Sequence, residues 1–146
     1  EGLLGKAANA NAKLAYADYK AVFGSQRFQA LKAKGARVQR PLWASTGTKN
    51  PKYSDVMYVD GLIGPDTVNT VPPQTLAALL DHGRVRPGTL EEDLAGAEKA
   101  LLDLEGLGIV MRVVTQELED EGVKSFMSAY TEVVEKMEER RQAAAA

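Results

Sequence analysis

RPLWASTGTKNP, residues 40–51, and GPDTVNTVPPQT, residues 64–75, decide the fold. In the first stretch Val38, Leu42 and Trp43 follow a glycine stop and predict a strand over residues 37–44, although Pro41 removes a ladder donor and argues against a central position. STGTKNP, residues 45–51, is then a loop of small, polar and turn-forming residues. In the second stretch a β-branched run over residues 66–71 follows a Gly-Pro turn and predicts another strand. It stops at Pro72 and Pro73, which cannot continue a ladder but can open a helix. Each short strand leads through a polar loop or proline turn into a helix, the α/β pattern in which parallel strands receive helices on their outside. Two strands cannot complete such a sheet, and their open edges imply a further segment that pairs with them.

Outward from this pair the chain reads as helices. Residues 4–23 are rich in alanine and lysine and predict a helix with its buried stripe through Leu4, Ala8, Ala15, Tyr19 and Val22. Ser25 caps a shorter helix through Lys34, with Phe28 and Leu31 facing inward and Gly35 closing it. One or two helical turns are expected over residues 53–61, and a helix over residues 74–82 carrying Leu76, Leu79 and Leu80. Thr89 and Glu92 have the T-x-x-E spacing of a capping box and predict a long helix with a stripe through Leu90, Leu94, Ala97, Leu101 and Leu104. A helix over residues 111–121 is expected to break at Gly122. The last, over residues 123–142, has the cleanest periodicity: Val123, Phe126, Met127, Tyr130, Val133, Val134 and Met137 form a wide apolar stripe that calls for a cover.

The 146 residues suit one core rather than two. The absence of cysteine excludes disulfides and thiolate metal sites, and a reducing compartment, the cytoplasm, is the expectation. No apolar run approaches the length of a membrane span, so no membrane partner is expected. A chain that opens at Glu1 and closes on four alanines reads as a piece of a longer product. Charge is uneven: residues 1–52 carry a net +8 and the rest a net −10. The basic third could steer an anionic ligand, or could be the wet face of two helices.

Phosphate loops, dinucleotide fingerprints, zinc-protease motifs and nucleophile elbows are all lacking, and one histidine cannot build a triad or metal cluster with its own kind. His82 reads as a helix-terminal histidine favoured by the helix dipole. The acidic run Glu117, Glu119, Asp120 and Glu121 reads as a solvated helix face, and Trp43 as core. No metal and no cofactor are expected. The loop after the first strand is different: Ser45, Thr46 and Thr48 offer hydroxyls, Gly47 flexibility and Lys49 a cation, which are the groups that a phosphate monoester requires.

Residues 40–83, from RPLWASTGTKNP through GPDTVNTVPPQTLAALLDHG, resemble the bacterial type of transaldolase found alone or fused to phosphoglucose isomerase; GKAANANAKLAY at residues 5–16 and TQELEDEGVKSF at residues 115–126 resemble its flanking segments. The resemblance implies the C-terminal part of a single (β/α)8 TIM-barrel domain: its last two strands with their helices and the terminal helices, mostly helical by residue count. It implies transfer of a dihydroxyacetone unit between sugar phosphates in the pentose phosphate pathway, through a Schiff base on a barrel lysine with a carboxylate and an ordered water managing protons. The family's catalytic lysine and carboxylates lie on earlier strands, so no catalytic residue is expected in this chain, which alone should be inactive. Ser45 and Lys49 fall where the family binds the substrate phosphate, Lys49 taking the place of an arginine in other branches. Thr46, Asn50 and Asn69 lie near enough to contact substrate. The implied partners are a sugar phosphate and the N-terminal barrel segment, with no nucleic acid.

A second reading, from another class, is a non-catalytic helical interaction module. Its final helix would dock on a partner helix, and its basic first third on an anionic surface.

Overall fold

The computed structural model describes residues 2–145. The chain divides between Leu104 and Glu105 into two compact units. In the first, α1 (Ala7–Gly24) and α2 (Gln26–Lys32) precede β1 (Leu42–Trp43), the single-turn α3 (Met57–Asp60), β2 (Val68–Asn69) and α4 (Pro73–His82). A 3-10 turn at Thr89–Glu91 leads to α5 (Leu94–Gly106), whose last turn enters the second unit, and that unit is otherwise built on α6 (Met111–Ala145). The architecture is mostly helical with one small parallel sheet.

The strands pair in parallel, Leu42 opposite Val68 and Trp43 opposite Asn69. The Val68 amide donates to Pro41 O at 2.9 Å and the Thr70 amide to Trp43 O at 3.0 Å, so β1 contributes carbonyls and the lost donor of Pro41 is never needed. Each strand is shorter than expected. Of residues 37–44 and 66–71, where the sequence predicts strands, only Leu42–Trp43 and Val68–Asn69 lie in the ladder.

Two clusters hold the first unit. Ala10 of α1 packs on Ala97 and Ala100 of α5 with Leu3, Leu14 and Leu101 around them, small side chains letting two helices approach closely. Tyr16, Leu62 and the fully buried Leu90 form the other, against Ala12, Tyr19 and Trp43. Leu90 fits because Gly64 has no side chain: a Cβ there would stand 2.8 Å from Leu90 Cδ2. Burial raises the Tyr16 phenol above its ordinary value, and its hydroxyl donates to Pro65 O at 3.1 Å.

Several expectations need correction. The inward face of α1 runs through Ala10 and Tyr16, whereas Leu4, Ala8, Ala15 and Val22 are exposed; alanines lie all around this helix, so periodicity alone could not choose its face. Leu31 is exposed, although Phe28 is buried and Ser25 does cap α2, accepting from the Phe28 amide at 3.2 Å. The Thr89 capping box does not form. Thr89 Oγ1 instead donates to Asp60 O at 2.7 Å and accepts from the Ile63 amide at 3.0 Å, a tertiary use that outcompetes the local one. Glu92 pairs bidentately with Arg86, both contacts at 3.1 Å, and α5 begins later, where Asp93 accepts from the Gly96 amide at 3.0 Å. Gly122 does not interrupt α6, because a single glycine costs a helix only about 1 kcal/mol.

In the second unit no described residue of α6 is buried, and its apolar stripe is open, from Val123 through Met137. The acidic run on this helix is solvated, as expected. Glu138 lies below its ordinary pKa because Arg141, three residues on, donates to it.

Candidate functional site

The loop after β1 is tied at several points. Thr48 Oγ1 donates to Ser54 O at 2.9 Å, and Asn50 Oδ1 accepts from the Lys52 amide at 3.0 Å in an Asx turn. Asn50 O accepts from the Tyr53 amide at 3.1 Å, and these bonds fold residues 48–54 into a compact turn that completes an arch beginning at residue 45, at the carboxyl end of β1. Ser45 opens this arch in the left-handed region, φ 55°, where a residue with a side chain is uncommon and where strain often accompanies function.

Of the residues singled out from the sequence, Ser45, Lys49 and Asn50 are exposed on this arch. Thr46 is buried, and its hydroxyl donates to Asn69 Oδ1 at 2.7 Å, which bridges the ends of the two strands. With its oxygen engaged, the half-buried Asn69 amide presents its NH2 group as a donor. Ser45, Thr46 and Lys49, with Asn50, share the wall of one cavity of about 460 Å³; its other walls are α1, β1 and the tyrosines Tyr53 and Tyr58. Sequence reasoning missed Asn9, and took Trp43 as core, where it does pack against the Tyr16 cluster. Trp43 is only half-buried, both residues line this cavity, and Asn9 Oδ1 and Trp43 Nε1 are buried without hydrogen-bond partners. A polar residue at position 9 amid the alanines of α1 was the available signal.

Ser45, Gly47, Thr48 and Lys49 also line a second cavity of about 330 Å³, closed by Asp55 and by Pro72, Gln74 and Thr75 at the start of α4. Asp55 is held by His82 at the end of α4: Nε2 lies 2.9 Å from Asp55 Oδ1, and Nδ1 lies 3.0 Å from Asp81 Oδ2. These bonds, that to Asp55 first, raise the imidazole above its ordinary 6.5, and the bond from His82 holds Asp55 below 3.8. A raised histidine contributes stability that is complete below about 6.5 and is lost as pH rises through the folded value. The lowered aspartate contributes above its unfolded value and loses its share as pH falls through the folded one. An NMR titration of the His82 ring should therefore give a midpoint above 6.5 that returns toward 6.5 in Asp55→Asn; an unmoved midpoint would show that the clip does not form in solution.

Among the described residues no group of acidic or histidine side chains could hold a metal ion, and no helix is long and apolar enough to cross a membrane. What the fold and the loop define is an α/β protein, the class in which ligands meet the carboxyl ends of parallel strands. The chain belongs to the transaldolase/fructose-6-phosphate aldolase family, whose model matches residues 2–137. It is 52% identical over 133 residues to a transaldolase of Mycolicibacterium smegmatis, which covers 91% of this chain and 36% of that protein. It is 50% identical to a transaldolase of Mycolicibacterium paratuberculosis, covering 94% of this chain and 37% of the relative. For the transaldolase of Saccharopolyspora erythraea the identity is 48%, over 94% of this chain and 38% of the relative. The chain thus spans a little over a third of the length of these relatives.

Proposed function

We propose that this chain supplies the substrate-phosphate side of a transaldolase acting in the pentose phosphate pathway of the cytoplasm, with Ser45 and Lys49 gripping the phosphate and Thr46, Asn50 and Asn69 near the sugar. The observation that carries this reading is the juxtaposition of a parallel strand pair with an arch of hydroxyls and one ammonium at its carboxyl end, facing a cavity. In the intact barrel a lysine outside this chain condenses with the carbonyl of a ketose phosphate. Carbon–carbon cleavage then releases an aldose phosphate and leaves the three-carbon unit on the lysine, ready to add to a second aldose phosphate.

The residues here do the binding part of that work. Lys49 attracts the dianion as a point charge, less directional than an arginine fork. Ser45 donates a hydroxyl, and Thr46 holds the Asn69 side chain in place by donating to its Oδ1, which leaves the Asn69 NH2 as a donor. The open edge of β1 is the position for a preceding barrel strand, which belongs to the N-terminal segment that this reading requires.

Borohydride trapping with fructose 6-phosphate tests the division of roles. On this chain alone no lysine should be reduced into a stable adduct. Combined with the portion of the Mycolicibacterium smegmatis transaldolase that this chain does not match, it should transfer the three-carbon unit in a Lys49-dependent manner. An adduct on the isolated chain, or transfer indifferent to Lys49, would overturn the reading.

A further inference from the structure

We propose that the phosphoryl group sits in the smaller cavity, between the arch and the start of α4, and that the Thr75 hydroxyl and the free amides of the first turn of α4 bind it together with Lys49. This rests on the sugar-phosphate reading above and extends it to residues on a different element.

Helix α4 has ten residues and opens on Pro72 with no side-chain cap. Pro73 has no N–H, and the first amide to find a partner is that of Leu76, which donates to Pro72 O at 2.9 Å. The amides of Gln74 and Thr75 are therefore unspent donors at the positive end of a helix. An uncapped helix start with room in front of it suits an anion.

Thr75 is the independent observation. Its residue is 3% exposed, yet its hydroxyl makes no hydrogen bond among the described residues, and it lines the cavity. The little surface that Thr75 retains opens on this cavity, so its unpartnered hydroxyl is within reach of a ligand oxygen held there.

Gly47 brings the arch close enough for the two elements to share one ligand. A Cβ at that position would stand 3.3 Å from both Thr75 Oγ1 and Pro72 Cγ. The larger cavity is a poorer host for a dianion, because Ala8, Ala12, Leu42 and Leu62 contribute to its wall. The one adverse charge in the smaller cavity is Asp55, and its carboxylate is engaged by His82.

Calorimetric titration of the unmodified chain with inorganic phosphate, and separately with fructose 6-phosphate, tests the assignment. Thr75→Val keeps the side-chain volume and removes only the hydroxyl. Affinity for both ligands should fall about tenfold, the scale of one hydrogen bond to a charged group. Thr75→Ser should stay within about threefold of the unmodified chain. Since the hydroxyl has no partner in the free protein, the ligand-free melting temperature of Thr75→Val should be unchanged or raised. In nitrogen–proton spectra, the Gln74 and Thr75 amides should shift on adding phosphate.

Unchanged affinity in Thr75→Val alongside loss in Lys49→Met would put the phosphate in the larger cavity and overturn this inference while the sugar-phosphate reading stands. A lowered melting temperature of the free Thr75→Val chain would mark a structural hydroxyl and overturn it too. Thr75-dependent binding of inorganic phosphate without binding of fructose 6-phosphate would keep the anion site and overturn the sugar-phosphate reading instead. Binding of neither ligand would overturn the inference.

Discussion

Truncation of Leu90 to alanine is expected to lower the free energy of unfolding of the first unit by about 3.5 kcal/mol, the middle of the range for a buried leucine that leaves a cavity. Leu90 has no exposed surface and packs against Tyr16 and Leu62. Its backbone amide also donates to Ile63 O at 3.1 Å, while Thr89 beside it bonds the same segment twice, so the main chain is pinned and cannot collapse into the void. Urea denaturation followed by Trp43 fluorescence reads the change, since Trp43 borders this cluster. A loss below about 1 kcal/mol would mean that the cluster repacks freely.

Replacement of Lys49 by methionine is expected to weaken fructose 6-phosphate binding roughly tenfold to a hundredfold, the scale of a lost charge-assisted contact. Lys49 is exposed on the arch beside two cavities, so its attraction for a dianion is screened by salt. The affinity of the unmodified chain should therefore fall as salt rises, and that of Lys49→Met should respond less. Calorimetry at two ionic strengths measures both. Equal affinity for the two proteins would remove Lys49 from the phosphate site.

Much of this arrangement was legible because proline, glycine and hydroxyl residues act locally. Pro72 and Pro73 marked the start of α4, Ser25 capped α2, and STGTKNP could be nothing but a loop. The strand pair was readable from its β-branched run, while its extent was not, since propensity does not say how many residues of each segment find a partner in the ladder. The Thr89 motif misled for a physical reason: its hydroxyl is committed to Asp60 and Ile63, which no local pattern could reveal.

The clustering of the candidate site residues was legible in the same measure. Ser45, Thr46, Lys49 and Asn50 lie in one contiguous loop, and the Trp43–Asn69 register brings Asn69 to it. Asn9 on α1, Asp55 in the turn before α3 and Thr75 on α4 reach the cavities from separate parts of the chain, and neither Asp55 nor Thr75 stands out in its own sequence neighbourhood. Only the folded chain assembles them.

The two-residue ladder also sets the order in which the chain organises itself. Pairing Leu42 with Val68 must close a long intervening loop, at an entropic cost of about 3 kcal/mol, whereas a ladder hydrogen bond returns only about 1 kcal/mol. The strands therefore cannot nucleate folding. They are expected to zip late, so that residues 45–51 take up their arch among the last events of folding.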